Sequence, residues 1–250
     1  MSRSLETALI AALLAVGCAS APTPQAAPTV PEPSSEVVRL PNDVHWARNS
    51  AEHRAVYLQI YGQATARLEE LARAHETGTW AVALDADETV IDNSLYQKEL
   101  TETGGSFTQE SWGEWVERRE APPLPGAVPF LERIRELGGR IAIVTNRREA
   151  LCPATEENFE RYGIPYDVIL CRPPESGDKQ PRWDKIATGQ ASPDLPPLEI
   201  LLWLGDNIHD FPGLDQAVRD GSDVAFAAFG ETYFAFPNPM YGSWARNPPR

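Results

Sequence analysis

Basic side chains are in the minority in this 250-residue chain: 22 Lys and Arg stand against 36 Asp and Glu, for a formal net charge of −14. A surface of that sign repels polyanions over a Debye length. It disfavours a nucleic-acid polymer or an anionic bilayer as partner, and an anionic small substrate would need a local cation. Histidine is scarce too, and His45, His53, His75 and His209 form no recognisable metal-binding spacing. The apolar stretch from Ala8 to Val16 is too short for a permanent membrane span. No internal repeat is visible, and 42% hydrophobic content at this length supports one good-sized core, not two.

Cysteine occupies three positions. Cys18 closes the segment MSRSLETALIAALLAVGC, in which Arg3 precedes an apolar stretch in the manner of an export signal. Residues Ala15 to Cys18 resemble a bacterial lipobox, with Ala15 where leucine is usual. That implies a signal peptide over 1–17, lipidation of Cys18 and anchoring in the bacterial cell envelope, at the outer membrane or in the periplasm. The rival reading is cleavage after Ala19-Ser20-Ala21, which would release a soluble secreted protein. The next stretch, ASAPTPQAAPTVPEPSSE, has no face to bury and reads as an extended tether within 18–40, so the folded domain is expected over 41–250. After export, Cys152 and Cys171 would sit in an oxidising compartment, either as a disulfide or as two buried thiols.

From Asn49 the pattern is helical: Tyr57, Tyr61, Ala64, Leu68 and Leu71 recur at spacings of four and three, and Asn49 with Glu52 suggests the cap. Short apolar runs then alternate with helical patterns. The runs are Trp80–Leu84, Ile141–Val144, Val168–Leu170, Ile200–Leu204 and Val224–Phe229; the helical patterns include Val128–Leu137 and Glu149–Tyr162. Strands that are continuously apolar predict a parallel sheet buried on both faces, hence a doubly wound α/β fold. The stretch SFTQESWGEWVERR carries its own stripe of Trp112, Trp115 and Val116, which predicts a small helical cap inserted over roughly 93–125.

In a doubly wound sheet ligands bind beyond the carboxyl ends of the strands. Asp85 and Asp87 follow the first run, Thr145-Asn146-Arg147 the second, and Asp206 with Asp210 the fourth. Clustered carboxylates repel one another unless a hard cation sits among them. An all-oxygen donor set without neighbouring Cys or His pairs points to Mg²⁺, with a calcium site the competing reading. The chemistry that suits this arrangement is phosphoryl transfer. Asp85 would attack phosphorus, Thr145 and a lysine would neutralise the phosphoryl oxygens, and Asp87 would protonate the leaving oxygen and then activate water. Asp87 must then hold a proton at working pH, which predicts an acidic optimum. Lys179 and Lys185 both precede the fourth run and both qualify.

The motifs Asp85-Ala-Asp87-Glu-Thr89, Asp92-Asn93-Ser94, Val144-Thr145-Asn146-Arg147 and Gly205-Asp206-Asn207-Ile208-His209-Asp210-Phe211 resemble the haloacid dehalogenase superfamily, and within it the class C bacterial acid phosphatases. HWARNSAEHRAVYLQIY, SFTQESWGEWV and FPNPMYGSW extend the resemblance over nearly all of the chain after the tether. It implies a haloacid dehalogenase-like Rossmannoid core, a phosphomonoester substrate such as a 5′-nucleotide, and a metal held by Asp85, the Asp87 carbonyl and Asp206, with Asp210 in support. It favours Lys179 through the pattern Lys179-Gln180-Pro181-Arg182, although SPDLPPLE lengthens the segment that follows. Asn146 and Arg147 are candidate substrate contacts, with a surface ion pair the alternative for Arg147. Tyr96, Trp112 and Tyr241 are candidates to grip a ring, with cap core the alternative for the tryptophan stripe. Two other functions remain open at this point, a non-enzymatic surface lipoprotein binding a ligand such as haem, and a phosphotransferase using the same site. A homodimer is open as well.

Overall fold

The computed structural model describes residues 38–249. Cys18, the signal segment and most of the tether lie outside the described residues. Two helices open the described chain, α1 (Asn42–Asn49) and α2 (Ala51–Ala72). Tyr57, Tyr61, Ala64 and Leu68 are buried on one face of α2, as their spacing predicts. The cap differs from expectation. Asn49 is the last residue of α1, and Ser50 accepts the His53 backbone N–H in its place.

Five parallel strands are arranged in the order β3-β2-β1-β4-β5. They are β1 (Trp80–Leu84), β2 (Arg140–Arg148), β3 (Val168–Arg172), β4 (Glu199–Gly205) and β5 (Tyr233–Ala235). Strand β1 is buried along its whole length because both faces are covered. Its alternate residues Trp80, Val82 and Leu84 enter the larger core with α2, α5 (Ala127–Glu136) and α6 (Cys152–Arg161). Ala81 and Ala83 face a smaller core under α7 (Gln180–Ala187), made with Trp183 and Ile186. Each fully buried Val or Leu in these layers is worth about 1.5–3 kcal/mol. The lengthened segment SPDLPPLE contributes to the smaller core through Leu195 and Leu198.

The run Val224–Phe229 does not form a strand. It begins as a 3-10 turn over Asp223–Phe226 in which Val224 is 81% exposed, and Phe229 packs on Phe211 and Tyr233. That aromatic cluster turns the chain back before it pairs, and the edge strand is the shorter β5, with Phe234 buried and in register with Leu204.

Between β1 and α5 the chain rises into a cap of two helices, α3 (Ser94–Thr103) and α4 (Gln109–Arg118). Its entry and exit are tied together by Asp92 N–H to Pro122 O at 2.9 Å and Leu124 N–H to Val90 O at 2.9 Å. Thr108 and Ser111 cap α4 reciprocally. Cys152, at the start of α6, is joined by a disulfide to Cys171 in β3, with a Cα–Cα distance of 5.9 Å. Among the described residues no helix is long and apolar enough to cross a membrane.

Candidate active site

The parallel register delivers the acidic groups to one edge. Asp85 N–H donates to Leu204 O at 2.9 Å, so the residue after β1 lies beside the end of β4, where Asp206 follows Gly205. The chain then folds back through a 3-10 turn, Ile208–Asp210, and Asp210 accepts the Asn207 N–H at 2.9 Å. This return needs Gly205, because a Cβ there would collide with the Asp210 side chain. One oxygen from each of Asp85, Asp206 and Asp210 lies within 4.8 Å of the others.

Among the described residues one ammonium, that of Lys179, contacts this cluster. Lys179, at the N-terminal end of α7 and 2% exposed, donates to Asp85 and lies 2.6 Å from Asp210 Oδ1. Lys185 is exposed in the last turn of α7, so the structure separates the two lysines that the sequence offers. Burial is the main force on Asp85 and pushes its carboxyl up to about 7; Lys179 opposes this, while Asp210 and Asp87 reinforce it. Asp206 is raised well above the usual carboxylate range by desolvation, then by Asp210 and Asp85. Burial alone would lower the Lys179 ammonium, but Asp210 and Asp85 outweigh it and the net direction is upward. Three oxygen-donor carboxylates against one cation leave negative charge uncompensated, so the donor set fits a divalent metal ion.

Asp87 lies two residues beyond Asp85 and lines a cavity of about 1300 Å³ that extends under the cap. Trp112 and Tyr241 are also on its wall, together with Asn146 and Lys179, and His209 is exposed at its rim outside the carboxylate cluster. The Tyr241 hydroxyl is buried and lacks a partner among the described residues.

Three candidates sit elsewhere than a wall. Arg147 is 2% exposed and does not line the cavity; it holds Asp87 through Nη2 to Oδ1 at 2.7 Å, because a buried guanidinium needs a carboxylate. It forms the ion pair that the sequence left as its alternative, but buried, not at the surface. Tyr96 is 3% exposed, bonds Ser111 at 2.8 Å, and packs on Trp112 and Trp115, so it is cap core instead of a substrate clamp. Thr145 is fully buried within β2, accepting Arg147 N–H at 3.1 Å, while its carbonyl accepts from Arg182. Arg182 also donates to Asn146 Oδ1 at 2.7 Å, tying β2 to α7.

Two residues of the site lie within stretches that carry the family resemblance, but the sequence assigns neither of them a role. Asn238, in the FPNPMYGSW stretch, donates to Asp206 Oδ2 at 2.8 Å and accepts from the Met240 N–H at 3.0 Å. Asn93 donates to Asp87 Oδ1 at 2.8 Å and accepts the Trp115 indole N–H at 2.8 Å. Beneath them, the Tyr57 and Tyr61 hydroxyls donate to the carbonyls of Glu88 and Thr89 at 2.6 and 2.7 Å, fixing the loop that carries Asp87.

A doubly wound sheet with a nucleophile-type aspartate after its central strand, a second aspartate two residues on, a buried lysine and an acidic pair after the neighbouring strand defines a haloacid dehalogenase-type phosphatase core. Residues 4–244 match the family model of HAD superfamily, subfamily IIIB (Acid phosphatase), and the chain belongs to that family. Among solved structures it is similar to the class C acid phosphatase from Bacillus anthracis, at 34% identity and a TM-score of 0.70 over 81% of this chain and 84% of that one. The same Bacillus anthracis enzyme with tungstate bound matches at 33% identity and a TM-score of 0.70, with the same coverage. A stem 28 kDa glycoprotein of Glycine max is 26% identical over 215 residues, covering 85% of this chain and 76% of that protein.

Proposed function

We propose that this acid phosphatase is a Mg²⁺-dependent phosphomonoesterase that releases inorganic phosphate from small organic phosphates, 5′-nucleotides among them, through an aspartyl-phosphate on Asp85. One observation carries the reading: the Asp85 carboxylate is buried beside Lys179 and clustered with Asp206 and Asp210, while Asp87 stands on the cavity wall two residues away.

In the first half-reaction Asp85 attacks phosphorus as the bond to the ester oxygen breaks, and Asp87 gives that oxygen its proton. In the second, Asp87 takes a proton from water. The water oxygen bonds to phosphorus, the acyl phosphate bond breaks, and phosphate leaves with Asp85 restored. Lys179 balances charge on Asp85 and on the phosphoryl oxygens. Thr145, fully buried and off the cavity wall, accepts the Arg147 N–H through Oγ1 and so fixes the backbone that carries Asn146 to the cavity. Asp85, Asp206 and the Asp87 carbonyl would hold Mg²⁺, with Asp210 beside them, and the ion would supply further neutralisation of phosphoryl charge. Trp112 and Tyr241 on the cavity wall support a leaving group that carries an aromatic ring or a nucleobase.

Phosphate release from a panel of monoesters, measured across pH with chelator and then with restored Mg²⁺, tests the reading. Turnover that survives metal stripping would overturn it. The N-terminal segment supports export, with Cys18 lipidated in the cell envelope, and intact mass of the mature protein decides this: an N-terminus without acyl chains removes the anchor.

A further inference from the structure

We propose that Asn93, Arg147 and Trp115 form a positioning unit through which cap helix α4 sets the Asp87 carboxyl for proton transfer to the leaving oxygen. The proposal rests on the reading of Asp87 as the acid–base group.

The Asp87 carboxyl is held unevenly. Its Oδ1 accepts three N–H donors, Arg147 Nη2 at 2.7 Å, Arg147 Nε at 2.9 Å and Asn93 Nδ2 at 2.8 Å. Its Oδ2 meets Arg147 Nε at 3.2 Å. Three donors take up Oδ1, so Oδ2 is the less engaged oxygen and the one placed to pass a proton to the ester oxygen. In the first half-reaction that proton passes to the ester oxygen as its bond to phosphorus breaks. Asp87 is left anionic against Arg147 until a water proton returns to Oδ2.

Both arms of this clamp reach back to α4. An indole N–H only donates, so Trp115 Nε1, at 2.8 Å, compels the carbonyl end of the Asn93 amide to face it and turns the NH₂ end toward Asp87. Arg147 Nη2 also donates to Asn93 Oδ1, at 3.1 Å, closing the network. The second arm runs through Trp112, whose ring centroid lies 5.5 Å from the Arg147 guanidinium carbon. Trp112 is one helical turn before Trp115 and faces the cavity. A leaving group seated on Trp112 therefore touches the same helix that orients the proton donor.

The test compares kcat/KM for two monoesters, because this constant covers events up to departure of the leaving group. The aryl ester p-nitrophenyl phosphate leaves without help from an acid, whereas glycerol 2-phosphate needs its oxygen protonated. The expected result is that the aryl-to-alkyl ratio of kcat/KM rises about tenfold in Trp115→Phe and in Arg147→Lys, a loss of position. In Asp87→Asn it rises about a hundredfold or more, a loss of the acid itself. Turnover of the aryl ester certifies folded protein, and Arg147→Lys stands in where Trp115→Phe does not fold. Equal falls on both esters in the two positioning variants, with the ratio raised in Asp87→Asn, overturn the proposal and leave the acid–base reading intact. A wild-type ratio in Asp87→Asn overturns both.

Discussion

The Lys179 ammonium lies 2.6 Å from Asp210 while it also donates to Asp85, so one buried cation is divided between two carboxylates. Neither carboxylate has it to itself, and phosphoryl oxygens would compete for the same N–H groups. Replacing Lys179 by Met is expected to lower kcat/KM by about 10²–10³-fold, the range for a preorganised donor. Lys185→Met, on the exposed side of α7, is expected to stay within about twofold. Steady-state kinetics on both variants checks the assignment, and the reverse order of effects would move the catalytic role to Lys185.

Asp85→Asn keeps the shape of the side chain and removes the proposed nucleophile. Turnover is expected to fall by about 10⁴-fold or more. Acid-quenched wild-type protein should carry a phosphoryl adduct on the peptide containing Asp85, visible by mass spectrometry, and the variant should carry none. An adduct on another residue would displace Asp85 from its role.

The charge at the sheet edge also predicts how stability follows pH. The Asp85 carboxyl sits at about 7 in the folded protein, above its ordinary value, through burial first. A carboxyl raised on folding binds its proton more tightly in the native state. Its contribution is therefore fully present below the unfolded value near 4 and is lost as pH rises through about 7. Asp206 shifts in the same direction. Metal-free protein is expected to be less stable at pH 8 than at pH 5 by on the order of a few kcal/mol, and so to melt at a lower temperature at pH 8. Mg²⁺ should reduce that difference by stabilising the ionised cluster. Thermal melts in chelator and in Mg²⁺ at the two pH values decide it, and a metal-free protein that gains stability toward pH 8 contradicts the account.

Gly205 gives a test that touches no reacting group. A methyl group there would occupy the space of the Asp210 side chain. Gly205→Ala is expected to destabilise by roughly 1–3 kcal/mol through overpacking. It should also weaken divalent-ion binding by about tenfold, as expected when an outer partner of a metal site is displaced. Urea unfolding and titration calorimetry measure the two effects; unaltered ion affinity would mean that Asp210 plays no part in holding the metal.

Much of this arrangement is legible in the amino-acid sequence, for physical reasons that also mark where legibility ends. Trp80–Leu84 and Ile200–Leu204 announce themselves because strands covered on both faces are continuously apolar, and the sheet rule then directs attention to Asp85, Asp87, Asp206 and Asp210. Val224–Phe229 has the same look and misleads, since its apolar groups serve a local aromatic cluster with Phe211 and Tyr233. The true edge strand, Tyr233–Ala235, is too short to show a period. Arg147 reads equally well as a phosphate ligand or an ion pair, because its destination depends on Asp87, 60 residues away. Asn93 and Asn238 matter through hydrogen bonds to Trp115 and Asp206, and an asparagine in a loop gives no hint of such distant partners.

The bridge between Cys152 and Cys171 has a consequence for solubility. β3 forms one margin of the sheet, where backbone groups lack a neighbouring strand and invite pairing with another chain. The cross-link ties that margin to the start of α6, whereas the proposed reacting groups ride on β1, β4 and α7. Opening the bridge is expected to cost about 3 kcal/mol of stability. On mild heating with reductant, light scattering should rise while phosphate release is still near its starting rate. Loss of turnover ahead of turbidity would show instead that this margin and the reaction centre loosen as one body.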